Sequence, residues 1–144
     1  MYEFIRSTHG FLRWILLAVL LFVLIRSWMG YFNKRSYSKL DNATSGALVG
    51  FAHLQLLLGL LLYFGLSPIT KAAFADFGAA MKDSTLRLYA VEHFITMIAA
   101  VALIQVGRIL SKKASDDVSK FKKMAIYTTI ALLLMLSRMP NWKF

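Results

Sequence analysis

Four long apolar stretches constrain this chain more than any other feature of its sequence. They cover residues about 11–32, 43–66, 85–110 and 124–139, and short polar segments separate them. A helix needs about 20 apolar residues to cross a bilayer, so the first three stretches are long enough and the fourth is short. Lipid admits only helices and closed barrels, and these stretches are too long for barrel strands. The sequence therefore predicts membrane-spanning helices.

The short connections predict how the helices are arranged. We expect an all-α fold, an integral membrane antiparallel four-helix bundle in up-down-up-down order, which forms a single domain over residues 1–144. The mixed segment 71–83 (KAAFADFGAAMKD) predicts a short helix in the membrane interface. The composition is 58% hydrophobic and 17% charged, which excludes an ordinary soluble enzyme. Whether the protein is a membrane enzyme stays open.

The basic residues predict an orientation. There are 17 Lys and Arg against 7 Asp and Glu, and they cluster between the apolar stretches. Ten basic residues belong to the side of the first and third connections and seven to the other side, so the first side is expected to face the cytoplasm. We therefore predict a multi-pass protein of the bacterial inner membrane with both termini in the periplasm. The basic excess indicates contact with anionic lipid, and no nucleic-acid partner is expected.

Histidines at membrane depth are the candidate functional residues, because a polar group in lipid needs a partner. His53 lies near the middle of the second stretch, and Gly46 and Gly50 precede it on the same helix face. The glycines leave a groove beside the imidazole, which would admit a flat ligand such as a porphyrin. The alternative is a close helix contact with His53 hydrogen-bonded across it.

His93 lies in the third stretch, with Tyr89 and Thr96 on its face. The second and third helices of such a bundle are neighbours, so His53 and His93 are expected to face each other and to hold one haem b as axial ligands. The chain has no cysteine, which excludes covalent haem attachment and iron–sulfur clusters. Arg13 and Arg87 are the expected partners of the haem propionates.

His9 and Glu92 have alternative interpretations. His9 precedes Arg13 by four residues, so the two share a helix face at the outer interface, where they could flank a quinone carbonyl or a haem propionate. His9 could also replace a deeper histidine as axial ligand, or simply contact water and headgroups. Glu92 could accept a proton or pair with Arg87. Two deep histidines and one carboxylate make a zinc or copper site less favourable than haem.

Three segments resemble a known family. Residues 9–13 (HGFLR), 53–63 (HLQLLLGLLLY) and 82–93 (KDSTLRLYAVEH) are similar to small four-span bacterial membrane proteins labelled as b-type cytochromes. The resemblance covers most of the chain. It implies His53 and His93 as the haem ligands and leaves the role of His9 undecided.

The sequence thus predicts a haem b membrane protein that transfers single electrons, with a quinone as one expected partner. The alternative is a non-redox accessory or assembly subunit packed against a larger respiratory or transport complex, with the histidines serving as hydrogen-bonding core residues. A proton-coupled carrier using Glu92 and His93 is less favoured, because the spans carry no broken-helix motif.

Overall fold

The computed structural model describes residues 2–138, and all regular structure in that range is helical, as expected. The helices in chain order are α1 (Tyr2–Asn33), α2 (Lys39–Leu61), α3 (Pro68–Ala75), α4 (Phe77–Ala80), α5 (Ser84–Arg87), α6 (His93–Lys113) and α7 (Asp117–Ser137). A π-helical turn, Leu62–Leu66, prolongs α2, and a second one, Leu88–Glu92, joins α5 to α6.

Three helical segments are long and apolar enough to cross a membrane: Tyr2–Asn33, Lys39–Gly65 and Ser84–Lys113. They contain the first and third predicted spans and the second up to Gly65, one residue before its predicted end. The last helix, α7, has Lys120, Lys122 and Lys123 in its first two turns, so its uncharged part covers only residues 124–137. The predicted end of the fourth span, at Met139, lies outside the described residues.

The helices extend beyond the apolar stretches. Helix α1 begins at Tyr2 rather than at residue 11, and α7 begins at Asp117 rather than at residue 124. Of the polar segment 111–123, only residues 114–116 are not helical. Charged residues such as Lys are good helix formers, so a helix can continue past the end of its apolar face.

The predicted interfacial helix over residues 71–83 is divided into two. The π-helical turn after α2 ends before Ser67, whose hydroxyl accepts a hydrogen bond from the Thr70 amide, and Pro68 is the first residue of α3. Proline suits the first helical position because its missing N–H would have no partner there. Asp76 separates α3 from α4 and caps α4 by accepting from the Ala79 amide.

Each of the four long helices packs against two others, in the order α1, α2, α6, α7 and back to α1. Contacts between opposite ends show that neighbours run antiparallel: Gly30 near the end of α1 meets Phe121 near the start of α7. The buried core consists mainly of Leu, Ala, Val and Met from these four helices.

A partly buried ion pair joins α1 to the start of α2. The guanidinium Nε of Arg26 donates to Asp41 Oδ1 at 2.7 Å, and Asp41 is 4% exposed. The same carboxylate accepts from the backbone N–H of Ser38, while the Ser38 hydroxyl caps α2 by accepting from the Asp41 amide. This capping box defines the first residue of α2.

Candidate functional site

A large apolar cavity lies at the end of the molecule where α1 begins. Its volume is about 720 Å³, and residues from α1, α2, α3, α6 and α7 line it. Its surface is mainly apolar, with Leu as the most frequent lining residue, and the polar side chains on it include Glu3, Arg6, His9, Arg13, Gln55, Tyr63 and His93. The volume falls within the range of about 300–1,000 Å³ that is typical of ligand and cofactor sites.

His9 reaches the cavity because α2 presents a small residue and an amide to it. The Gln55 amide Nε2 donates to the backbone carbonyl of His9 at 3.0 Å. A Cβ added to Gly59 would lie 3.6 Å from His9 Cε1, so the imidazole packs directly on the glycine. The Gln55 side chain also interacts with the His9 ring, and both the Nδ1 of His9 and the Oε1 of Gln55 are buried. These are polar atoms that a ligand in the cavity could engage.

The imidazole of His93 is held by the end of α7. Its Nδ1 lies 2.9 Å from the backbone carbonyl oxygen of Arg138. A carbonyl can only accept, so Nδ1 carries the proton and donates it, and in the neutral ring the lone pair is then on Nε2. Histidines that bind metals usually have this arrangement, because the carbonyl fixes both the tautomer and the ring orientation.

The two π-helical turns meet beside the cavity. The Tyr63 hydroxyl, in the first turn, donates to the Ala90 carbonyl in the second. The Tyr63 ring also stacks on Phe94, with the ring centroids 4.1 Å apart and the planes 14° from parallel. Such turns leave backbone groups out of the regular helical pattern and are frequent near functional sites. Here the contact joins α2 to the start of α6 and so helps to position His93.

His53 lies outside this cavity, and the expected meeting of His53 with His93 is not observed. The exposed His53 side chain turns toward α6, where its Nε2 donates to Gln105 Oε1 at 2.8 Å. Gly46 and Gly50 are exposed on the same face, and neither lines the cavity. The helix rotation explains this: Gln55 and Gly59 lie one turn apart on the face toward α1, and that places His53 on the other side of α2.

The remaining candidates are divided between the cavity and its surroundings. Arg13 lines the cavity beside His9, and its guanidinium carbon lies 4.9 Å from the centroid of the Trp14 ring. Arg87 does not line it. That side chain donates to the Met81 carbonyl at 2.9 Å and pairs with Glu92 at 3.5 Å, so the expected pairing of these two charges is present.

Thr96 and Tyr89 were the remaining candidates, on α6 and on the π-helical turn before it. Thr96 does not line the cavity, whereas Met97 and Val101, which follow His93 at i+4 and i+8, do. The side chain of Tyr89 lies outside the part of the chain that the structure describes. The cavity face of α6 is therefore apolar beyond His93.

Gln55, Gly59 and Tyr63 line the cavity but were not predicted from the sequence to do so. The i, i+4 spacing of Gln55 and Gly59, a polar residue and a glycine on one helix face, was the available signal. Within residues 2–138, no group of three or more His, Asp or Glu side chains could hold a metal ion. A porphyrin needs only two axial ligands from the protein, and the cavity offers two imidazoles.

Comparison with known proteins gives no match: no family model, no curated protein sequence and no solved structure is significantly similar to this chain. The assignment of a function therefore depends on the geometry of the cavity.

Proposed function

We propose that the four long helices form an antiparallel four-span bundle in a bacterial inner membrane. The antiparallel packing supports this arrangement, and so does the outer face of α7. Ile126, Ile130 and Leu133 are 36%, 42% and 63% exposed, so α7 presents apolar side chains outward over its uncharged turns. A soluble protein rarely exposes a continuous apolar face of this kind, whereas a lipid-facing helix does. The larger number of Lys and Arg at the end with the two short connections favours placing that end in the cytoplasm and both termini outside.

Within this bundle, we propose that the cavity holds one haem b between the imidazoles of His9 and His93, for single-electron transfer. The observation that carries the proposal is that histidines from two different helices line one apolar cavity, with the Nδ1–H of His93 donated to a backbone carbonyl. That bond leaves the His93 Nε2 lone pair for a metal. His53 is the weaker candidate, because its Nε2 already donates to Gln105.

The other lining residues fit a haem. Apolar side chains would cover the macrocycle and exclude water, which tunes the potential of a buried iron. Arg13 supplies a cation on the cavity wall for a propionate, while Gln55 holds the backbone beside His9. With both axial positions filled by protein, the chemistry that haem supplies is electron transfer rather than oxygen binding.

The test is a difference spectrum, reduced minus oxidised, of the purified protein and of three variants. His93→Asn keeps an amide donor for the Arg138 carbonyl but removes the Nε2 ligand, and His9→Ala removes the other ligand. Both are expected to lose the b-type band. The matched control is His53→Gln, which removes an imidazole of the same chain outside the cavity and is expected to retain the band.

Helix content measured by circular dichroism shows whether each variant folds. A band that survives in folded His9→Ala but disappears in His53→Gln would reject His9 and return the ligand pair to His53 and His93. Colourless wild-type protein that co-purifies with larger membrane subunits would reject the haem and support the accessory-subunit alternative.

A further inference from the structure

A second, basic pocket lies at the opposite end of the molecule from the histidine cavity. Its volume is about 340 Å³, and it is formed by the connection before α2, the start of α2, the end of α6 and the start of α7. The pocket is lined by Tyr37, Ser38, Lys39, Asn42, Lys112 and Lys120.

Three lysines line this pocket, and no Asp or Glu is among its lining residues. Lys120 is held in place, because its Nζ donates to the backbone carbonyls of Ser111 and Lys112 at 3.3 and 3.2 Å. The Asp41 carboxylate belongs to the Arg26 ion pair, and neither Asp116 nor Asp117 lines the pocket. Tyr37, Ser38 and Asn42 complete the lining; the Ser38 hydroxyl donates to the Asp41 carboxylate, whereas the Asn42 amide nitrogen can donate to a ligand. This composition suits a phosphate-bearing ligand.

The depth of the pocket favours a lipid as the source of the phosphate. Lys39 is the first residue of α2 and Lys112 is the second-last residue of α6, and both helices are long and apolar enough to span a membrane. Phospholipid headgroups lie where such spans end. Basic pockets between spanning helices on the cytoplasmic side are typical binding places for anionic headgroups.

Next to the pocket, α2 presents an open face with no side chain at Gly46 and Gly50, which we call the groove. Asn42, Gly46 and Gly50 follow one another at intervals of four residues, so they share a helix face. A Cβ on Gly46 would meet only Arg108 Nη2 at 3.7 Å, and a Cβ on Gly50 would meet nothing within 4 Å. The Arg108 guanidinium also donates to Asn42 at 2.8 Å, which places a further cation between pocket and groove. The groove has room for an acyl chain next to the charged pocket.

We propose that this site binds one anionic phospholipid, with the phosphate in the pocket of Lys39, Lys112 and Lys120 and an acyl chain along Gly46 and Gly50. The proposal rests on the membrane placement proposed above, but it is independent of haem. It also gives a role to Gly46 and Gly50, neither of which lines the histidine cavity.

The test measures the thermal stabilisation of the detergent-solubilised protein by added dioleoyl phosphatidylglycerol. The pocket variant is Lys39→Gln with Lys112→Gln, because both side chains are exposed whereas Lys120 supports the end of α6. The control is Lys113→Gln with Lys122→Gln, which removes two exposed charges at the same end outside the pocket. Each Lys near an anionic surface contributes about 1 kcal/mol, a factor of about five, so the pocket variant should need about 30-fold more lipid for half-maximal stabilisation. The control should match the wild type.

Three further measurements separate the sources of the phosphate. Phosphatidylcholine and inorganic phosphate are expected to give no stabilisation at the concentrations where phosphatidylglycerol acts. Gly50→Leu is expected to weaken the response by filling the groove. An equal loss in the control variant, an equal effect of inorganic phosphate or of phosphatidylcholine, or an unchanged response in Gly50→Leu would each overturn the proposed lipid site.

Discussion

Gly107 of α6 offers the sharpest test of how the last two long helices pack. A Cβ added there would lie 2.6 Å from the Cβ of Tyr127 on α7. Real Cβ atoms are essentially never closer than 3.0 Å to such a neighbour, so Gly107→Ala must move the two helices apart. A Cβ is fixed to the backbone and cannot rotate away. Such overpacking costs about 1–3 kcal/mol.

The matched control is Gly50→Ala, because a Cβ at Gly50 meets nothing within 4 Å. Both substitutions share the gain of about 1 kcal/mol in helix propensity when alanine replaces glycine. The difference between the two variants therefore measures the packing cost alone. We expect Gly107→Ala to be less stable than Gly50→Ala by about 1–3 kcal/mol, a factor of about 5 to 150 in the unfolding equilibrium.

The assay is reversible unfolding in mixed micelles with increasing dodecyl sulfate, followed by circular dichroism. Equal stability of the two alanine variants would refute the close approach of α6 and α7. Moving α7 should also change the cavity, because Arg138, the residue that follows α7, holds His93 through its backbone carbonyl. In haem-loaded protein we therefore also expect a shifted band position in Gly107→Ala and none in Gly50→Ala.

Two further substitutions, with one control, test contacts that organise the fold. Asp41→Ala leaves the Arg26 guanidinium without its buried partner and should lower the unfolding free energy by about 2–4 kcal/mol. Glu3→Ala breaks an exposed ion pair and should change the unfolding free energy by less than about 1 kcal/mol. An equal effect of the two substitutions in the same micelle assay would contradict the burial of Asp41. Tyr63→Phe removes the hydrogen bond to the Ala90 carbonyl but keeps the aromatic stacking, so a loss of about 1 kcal/mol is expected in thermal unfolding, and no loss would show that the bond contributes nothing.

The approximate positions of the four long helices could be predicted from hydropathy, because the apolar stretches in the sequence are long and their interruptions are few. The end of the π-helical turn that prolongs α2 could also be predicted, since Ser67 and Pro68 form a local signal that acts within a few residues. The start of α7 was not, because Lys-rich turns are compatible with both a helix and a loop. Local chemistry alone does not choose between them.

The choice of histidine partner could not be predicted in this way. Spacing showed that Gln55 and His53 lie on opposite faces of α2, but it did not show which face would turn toward α1. That rotation depends on Gly59, which gives the His9 ring a surface to pack on, and on the bond from Gln55 to the His9 carbonyl. Neither contact can be read from α2 alone, because each joins residues about 50 positions apart in the sequence.

The sequence by itself determined that this chain folds as long apolar helices with basic connections, because hydrophobicity and charge act along the chain regardless of neighbours. Only the tertiary structure decided that His9 and His93 share a cavity while His53 faces Gln105. The physical reason is that a side chain's partner depends on the rotation of each helix about its axis, and close packing at small residues such as Gly59 and Gly107 sets that rotation.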